Sequence, residues 1–275
     1  MALTVNTNIA SMKARNNLSA NSRALSGSFE RISSGLRITK AADDAAGLGV
    51  AESMDAQERS ARQAMRNTND GISMVQTAEG STNEVANIVK RMRELAVQSS
   101  SETLASTERA YIQDEYLALE SEIDRVANTT EFNGVSLTDG SNTQLNVQVG
   151  IMNTTNDQVT VTFGDLRVTA LAIDSGSIDL STSAGAFAAI DDLDAALDTL
   201  NSTRASFGSS QNRLDSSLRN METYSENLSS AQSQIRDADF AYETAELAKT
   251  QIMQQAGTAI LSQANSMSQG ALSLI

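Results

Sequence analysis

The stretch LDAALDTLNSTRASFGSSQNRLDSSLRNMETYSENLSSAQSQI, residues 193–235, carries an apolar side chain at every seventh position. These positions are Leu193, Leu200, Phe207, Leu214, Met221, Leu228 and Ile235. A seven-residue repeat places side chains along one face of a helix that packs against a partner over its whole length. We therefore predict a long helix here, and we expect these seven residues to form its packing face.

Two earlier segments are candidates for the facing helices. Apolar residues recur at steps of three and four over residues 112–126, and again over residues 72–95 within a segment that begins near residue 44. The polar stretch 98–107 reads as the turn between them, with Ser106 or Thr107 as the helix cap. Because the chain has no proline, long helices can run without interruption. The pattern predicts a mainly α fold of long antiparallel helices in coiled-coil-like bundles.

Between residues 130 and 187 the periodicity changes from helical to alternating. Asn133-Gly134 and Asp139-Gly140 are turn signals. Apolar residues alternate with polar ones over residues 145–149 and 159–163, and again at Leu166 and Val168. This period of two predicts short strands in one or two hairpins. We expect a small β-hairpin insertion between helices, not a second large domain.

Both ends of the chain carry narrow apolar stripes. They consist of Leu18, Leu25, Phe29, Ile32 and Leu36 near one end, and of Met253, Ile260, Met267 and Leu274 near the other. Residues 1–40 have six basic side chains and one acidic one, whereas residues 236–275 are net acidic. Opposite charge favours the approach of the two ends. Since so little apolar surface cannot offset the entropy of ordering, we expect these segments to become ordered against neighbouring copies.

The composition excludes several classes of protein. With no Cys and no His among 275 residues, the chain lacks disulfides, the commonest general base and the soft ligands of zinc. A formal charge of -14 argues against a nucleic-acid partner, which needs a basic face. No apolar run approaches the ~20 residues that span a bilayer, and the first eight residues do not resemble a signal peptide. We expect a structural protein that is not an enzyme, binds no cofactor and does not insert into membranes.

Two acidic runs, Asp43-Asp44 and Asp191–Asp194, could suggest cation sites. Calcium needs six to eight converging oxygens and a loop glycine, which neither run offers. Acids near the start of a helix interact favourably with its dipole, and we adopt this interpretation for both. The tripeptide Asn69-Asp70-Gly71 resembles a turn but falls within a helical stripe, so we predict a glycine embedded in a helix.

Several motifs together resemble the signature of the bacterial flagellins. At the amino-terminal side they are Leu3-Thr4-Val5-Asn6-Thr7-Asn8, Arg31-Ile32-Ser33-Ser34-Gly35-Leu36-Arg37-Ile38, Asp43-Asp44-Ala45-Ala46-Gly47, Asn67-Thr68-Asn69-Asp70-Gly71-Ile72-Ser73, Thr77-Ala78-Glu79-Gly80, Arg93-Glu94-Leu95-Ala96-Val97-Gln98 and Glu131-Phe132-Asn133-Gly134. At the other side they are Gln211-Asn212-Arg213-Leu214, Ile235-Arg236-Asp237-Ala238-Asp239, Gln251-Ile252-Met253-Gln254-Gln255-Ala256-Gly257 and Leu272-Ser273-Leu274-Ile275. The motifs follow the family's order at both ends.

The resemblance implies a filament subunit of the bacterial flagellum, exported unfolded by the flagellar type III apparatus without a cleaved signal peptide. It implies an inner core from residues 1–45 and 236–275, with a spoke near residues 35–46. It implies an outer core from residues 46–129 and 188–235. Residues 130–187 take the place of the family's variable region, so the chain resembles a short form. The implied partners are further copies of the chain, an export chaperone, the filament cap, hook-junction proteins and, for some members, the host Toll-like receptor 5.

For receptor recognition, the resemblance points to Arg91, Leu95 and Glu115. Arg91 and Leu95 are four residues apart and therefore neighbours on one helix face. Lys90 replaces the glutamine more common in the family. Ordinary packing between subunits is the alternative role for the same surface.

Three other functions stay open from the sequence. A hook–filament junction protein of the same apparatus has similar terminal helices, although the Gln-Gln-Ala-Gly segment at 254–257 and the closing residues 272–275 favour the filament subunit. A coiled-coil signalling rod would lack the β insertion and the polar terminal faces. An enzymatic insertion, as some flagellins carry, would need more room than residues 130–187 provide.

Overall fold

A computed structural model describes residues 7–176 and 178–272, with side chains described as far as residue 266. Most described residues lie in five helices: α1 (Ile9–Ser34), α2 (Ala45–Ser100), α3 (Ser106–Thr129), α4 (Ser183–Arg236) and α5 (Phe240–Leu272). Helix α4 contains the whole seven-residue repeat, so the long helix predicted there is confirmed. The mainly α fold is confirmed as well. Within this described part, no helix is both long and apolar enough to cross a membrane.

The chain divides into two compact units. The terminal unit comprises residues 1–58 and 226–275, and the central unit comprises residues 59–225. Both boundaries fall inside helices, because α2 and α4 each contribute to both units. The division falls near residue 58 in α2 and near residue 226 in α4, and the domain limits at residues 45 and 236 stay a prediction.

Two apolar clusters form the core of the central unit. In the first, α2, α3 and α4 contribute Leu95, Tyr116, Leu193 and Leu200, each at most 1% exposed. The second contains Phe207 and Leu214 of the repeat, both fully buried. Further along α4, Met221, Leu228 and Ile235 are only partly buried. The packing face of α4 is thus deeply covered in its first half and less covered in its second half.

Two antiparallel hairpins follow α3. Strands β1 (Glu131–Phe132) and β2 (Val135–Ser136) are joined by Asn133 and Gly134, whose φ angles of 50° and 77° explain the Asn-Gly pair. Strands β3 (Gln144–Gln148) and β4 (Gln158–Thr162) pair with Val147 opposite Val159. The larger hairpin agrees with the alternating pattern of the sequence, and the smaller one agrees with the Asn-Gly turn signal.

The larger hairpin packs on α2 at Gly71. A Cβ atom at Gly71 would lie 3.0 Å from both γ-methyl carbons of Val147. Residue 71 lies in the middle of an unbroken helix, which confirms the embedded glycine predicted from the sequence. Gly71 therefore lets the sheet approach the helix backbone, so that the valines of β3 and β4 cover the second cluster.

The alternation at Leu166 and Val168 does not form a strand, and this expectation is wrong. Residues 163–182 form no helix or strand where they are described. Side chains of α3 satisfy the backbone instead of a strand partner: Asp124 accepts from the Val168 amide at 3.1 Å, and Gln113 accepts from the Leu180 amide at 2.7 Å. Six apolar residues of the segment enter the first cluster, namely Leu166, Val168, Leu171, Ile173, Ile178 and Leu180.

Tyr116 of α3 binds the segment 163–182 through a buried hydrogen bond. Its hydroxyl donates a hydrogen bond to the Ile173 carbonyl at 2.8 Å, and the side chain is fully buried. Burial raises the pKa of the Tyr116 phenol, and nearby carboxylates raise it further. The tyrosine therefore stays neutral and keeps its proton as a donor. A second buried bond joins the Ser99 hydroxyl to the Leu180 carbonyl at 2.6 Å.

The helix starts differ in part from expectation. The carboxylate of Asp44 accepts from the Gly47 amide at 2.8 Å at the start of α2, as expected of an acid at that place. The run Asp191–Asp194 is not at a helix start, because α4 begins eight residues earlier at Ser183. The predicted cap of α3 at Ser106 or Thr107 is also wrong, since the cap residue is Ala105, whose amide donates to Glu108 at 2.7 Å.

Candidate assembly surface

Helices α1 and α5 lie side by side and antiparallel in the terminal unit. The Asn8 side chain donates to the Ala264 carbonyl at 2.8 Å, and the Asn21 side chain donates to the Thr250 carbonyl at 2.8 Å. Residue numbers therefore increase along α1 in the direction in which they decrease along α5. Asn8, which caps α1, and Asn21 of α1 both bind backbone carbonyls of α5, and so they define the register of the two helices.

The seam between the two helices combines apolar, polar and small residues. The less exposed residues on the two facing sides are Ser11, Ala14, Leu18, Asn21, Leu25, Ser28 and Ile32 of α1 and Glu243, Leu247, Thr250, Gln254, Gly257, Leu261 and Ala264 of α5. Small residues allow close approach, as at Gly257, where a Cβ atom would lie 3.2 Å from Cδ1 of Leu18. Hydrogen bonds and close backbone contact therefore accompany the leucine and isoleucine side chains of the seam.

A buried ion pair lies in this seam. Nε of Arg31 is 2.8 Å from Oε1 of Glu243, whose side chain is only 7% exposed. Ser28, one turn earlier on α1, is 1% exposed. The Glu243 carboxylate is thus held in a largely dehydrated position, where loss of its cationic partner would leave a buried charge uncompensated.

The loop between α1 and α2 is bonded to the segment between α4 and α5. Gly35 ends α1 with a φ of 73°, and its carbonyl accepts from the Ala238 amide at 2.9 Å. The Arg37 amide donates to the Arg236 carbonyl at 2.7 Å. Hydrogen bonds from Thr39 and from the Lys40 amide lower the pKa of the Asp43 carboxyl and hold the loop closed around it. The loop overlaps the spoke expected at residues 35–46.

The outward faces of the terminal unit expose many large apolar side chains. Those at least 48% exposed are Ile9, Met12, Phe29, Val50, Phe240, Tyr242, Ile252, Met253 and Ile260. In contrast, the buried apolar residues of the described part of this unit are Ile38 and Ala51. A unit with many exposed and few buried apolar side chains is typical of one whose surface another protein molecule covers.

The terminal stripes of the sequence fall on both sides of the helix pair. Leu18, Leu25 and Ile32 are half-buried in the seam, and Leu36 is half-buried beside it. Phe29 is 51% exposed, while Met253 and Ile260 are 57% and 61% exposed on the outward face of α5. The side chain of Met267 and all of Leu274 lie outside the described residues.

The three receptor candidates do not share one surface. Nη2 of Arg91 is 2.8 Å from Oε1 of Glu115, and both side chains are about half exposed. Leu95 is 1% exposed and belongs to the core of the central unit. The structure therefore brings Arg91 and Glu115 together across α2 and α3 and separates Leu95 from them. In the described ranges, no three acidic side chains lie close enough together to hold a metal ion.

The comparisons with known proteins cover both ends of the chain. Residues 5–143 match the profile of the bacterial flagellin N-terminal helical region, and residues 190–275 match that of the bacterial flagellin C-terminal helical region. A flagellin of Halalkalibacterium halodurans is 42% identical over 273 residues, which cover 98% of this chain and 99% of the relative.

Solved structures agree with this result. The crystal structure of Bacillus cereus flagellin is 33% identical with a TM-score of 0.50, covering 57% of this chain and 88% of that one. A putative flagellar hook-associated protein from Vibrio parahaemolyticus has a TM-score of 0.59 over 71% of this chain and 100% of that one, at 14% identity. The second likeness shows the fold alone and does not favour the junction role.

These matches relate the α1–α5 helix pair to a family of proteins that form filaments. Flagellins are structural proteins that polymerise into the extracellular flagellar filament. The matched regions include α1 and α5 with their exposed apolar faces. On the combined ground of profiles, relatives and fold, this chain is a member of the bacterial flagellin family and a structural subunit of the filament.

Proposed function

We propose that copies of this chain join in the filament through the outward faces of α1 and α5, the inner core, with the helices of the central unit forming the outer core. The observation that carries this proposal is the exposure of nine large apolar side chains on the terminal unit. A contact between identical subunits that does not close into a ring generates a helical polymer. The role is structural and involves no catalysis.

The limited burial in the seam supports a coupling between assembly and ordering. Isolated helices are marginal in water, and most helical stability comes from packing of an apolar face. In the α1–α5 pair the facing sides carry five large apolar side chains among polar and small ones, and these five are only half-buried, whereas nine others on the terminal unit are at least 48% exposed. The pair therefore holds its register but gains little burial by itself. Neighbouring copies supply the missing burial when they cover the outward faces.

Replacing Ile260 by Ser tests this surface. Ile260 is 61% exposed in the monomer, so its loss leaves the monomer intact but removes apolar area from the contact. Burial of one such side chain contributes about 1.5–3 kcal/mol, and we expect the critical concentration for polymerisation to rise about tenfold or more. Sedimentation of filaments at graded protein concentrations measures it.

The matched control is Gln263→Ser, one turn further along α5 at an exposed polar position. It should change the critical concentration less than threefold, since roughly 0.6 kcal/mol or less is at stake at a solvated site. Equal critical concentrations for Ile260→Ser and the unaltered chain would place the contact elsewhere.

We further propose export as an unfolded chain, without a cleaved signal peptide, followed by refolding under the filament cap, with a chaperone and hook-junction proteins as partners. The amino-acid composition supports rapid refolding after export. The chain has no Cys and no Pro, so neither disulfide formation nor prolyl isomerisation delays its refolding. We expect refolding from denaturant without a phase that a prolyl isomerase accelerates.

Recognition by Toll-like receptor 5 is a second proposed role, favoured by the exposed Arg91–Glu115 pair. Replacing Arg91 by Asp should lower activation of a receptor reporter at least tenfold, because it reverses the charge and repels Glu115. Arg93→Asp is the matched control. Nε of Arg93 is 2.6 Å from Oδ1 of Asp194 in α4, so this arginine belongs to the contact of α2 with α4 and not to its contact with α3. Equal loss in the two variants would indicate damage to the bundle rather than to a recognition surface.

A further inference from the structure

Sulfur in this chain occurs only in methionine. The sequence has ten Met and no Cys, so thioethers are its only readily oxidised sulfur groups. Their exposure differs widely. Met12 and Met253 are 55% and 57% exposed on the terminal unit, and Met152 is 64% exposed on the central unit. Met74 and Met92 are 8% and 0% exposed in the apolar clusters.

We propose that oxidation of Met12 on α1 or of Met253 on α5 switches assembly off. This inference rests on the proposed function, because it requires the outward faces of α1 and α5 to be the contact between copies. Met12 lines an open groove of about 810 Å³ together with Leu18 and Leu261 and with polar residues, among them Arg15, Asn16 and Gln254. Met253 lies next to Ile252, which is 65% exposed, and seven residues before Ile260. Both thioethers are thus exposed on the surface that we propose assembly covers.

The reaction needs only a peroxide as co-reactant. A lone pair on the thioether sulfur attacks one oxygen of hydrogen peroxide, an S–O bond forms, and the O–O bond breaks. The released oxygen leaves as water after proton transfer, so that sulfur is oxidised by two electrons and the peroxide is reduced. Methionine sulfoxide is polar, and burying it without a hydrogen-bond partner is unfavourable. Oxidation of the monomer therefore opposes burial in the filament, and assembly in turn shields the sulfur.

Met152 provides an internal control within the same molecule. It follows β3 in the central unit and is more exposed than either Met12 or Met253. Peroxide should oxidise it at least as fast, because the rate of thioether oxidation follows exposure. Its sulfoxide should not oppose assembly, since it lies outside the terminal unit.

Partial oxidation of the unaltered chain tests the proposal. Monomer is treated with hydrogen peroxide to about one sulfoxide per molecule, quenched and polymerised, and filaments are separated from soluble protein by sedimentation. Peptide mass spectrometry then measures the sulfoxide fraction at each methionine in both fractions. We expect the sulfoxides of Met12 and Met253 to be depleted about tenfold in the filaments, a free-energy difference of about 1.4 kcal/mol. The Met152 sulfoxide should divide equally, and methionine sulfoxide reductases should restore assembly of the soluble fraction.

Two different failures can be distinguished. Equal division of the Met12 and Met253 sulfoxides between filament and soluble protein would overturn the redox site while leaving the assembly surface intact. Failure of untreated protein to polymerise, or an unchanged critical concentration for Ile260→Ser, would overturn the proposed surface and this inference with it. Depletion of the Met152 sulfoxide to the same extent would show a general effect of oxidation, and would also overturn the assignment.

Discussion

Replacing Phe207 by Ala is expected to lower the free energy of unfolding of the central unit by about 3–5 kcal/mol. Phe207 is fully buried, and its ring centroid lies 5.8 Å from that of Phe163. The substitution removes this contact and leaves a cavity among β3, β4, α2 and α4. For a unit of this size, we expect the midpoint of thermal unfolding to fall by roughly 6–20 °C. Circular dichroism of the monomer measures the midpoint.

Phe187 supplies the matched control on the same helix. It is 59% exposed, so Phe187→Ala removes a ring of the same size without opening a cavity. Its effect on the midpoint should stay within about 2 °C, the range of a surface substitution. Similar losses for Phe187→Ala and Phe207→Ala would show that the second cluster is not a packed core.

Replacing Glu243 by Gln is expected to destabilise the α1–α5 pair by about 2–3 kcal/mol, and hence to hinder assembly. The substitution keeps the size of the side chain but leaves the Arg31 guanidinium without its partner. Removing one member of a buried pair typically costs about 3–5 kcal/mol, and the estimate is reduced because Arg31 is 30% exposed. We expect filaments to dissociate at a lower temperature, while unfolding of the central unit is unchanged.

Glu246→Gln is the control for this result. Glu246 pairs with Lys249 on the same helix at 3.1 Å, but that pair is a surface one, with Lys249 68% exposed. Such pairs contribute about 0–1 kcal/mol, so dissociation of the filaments should hardly change. A Glu243→Gln filament as stable as the Glu246→Gln filament would contradict a role for the buried pair.

The helices were predictable because their patterns are long and regular. Leu193, Leu200, Phe207 and Leu214 repeat every seven residues and face the core of the central unit. Asn133-Gly134 forms a tight turn because both residues readily adopt a positive φ. Local chemistry is sufficient to predict such elements.

Other features depend on partners far away in the sequence. Leu166 and Val168 alternate like residues of a strand, but side chains of α3 accept from the amides of Val168 and Leu180, and no local signal reveals this. The stripe of Met253 and Ile260 was expected to meet neighbouring copies and is exposed, but the sequence did not show that the side facing α1 includes Thr250, Gln254 and Gly257, whose polar or small character conceals their contact. For a similar reason the sequence could not separate Leu95 from the exposed Arg91, since helical spacing alone does not show where burial begins.

We expect α1 and α5 to gain most of their stability from neighbouring copies. Hydrogen exchange measured on monomer and filament tests this, with helix α3, which packs its buried face into the core of the central unit, as internal reference. In the monomer, peptides from residues 9–34 and 240–266 should exchange much faster than those from residues 106–129, and in the filament all three should exchange slowly. Terminal helices that are as protected in the dilute monomer as α3 would contradict the account.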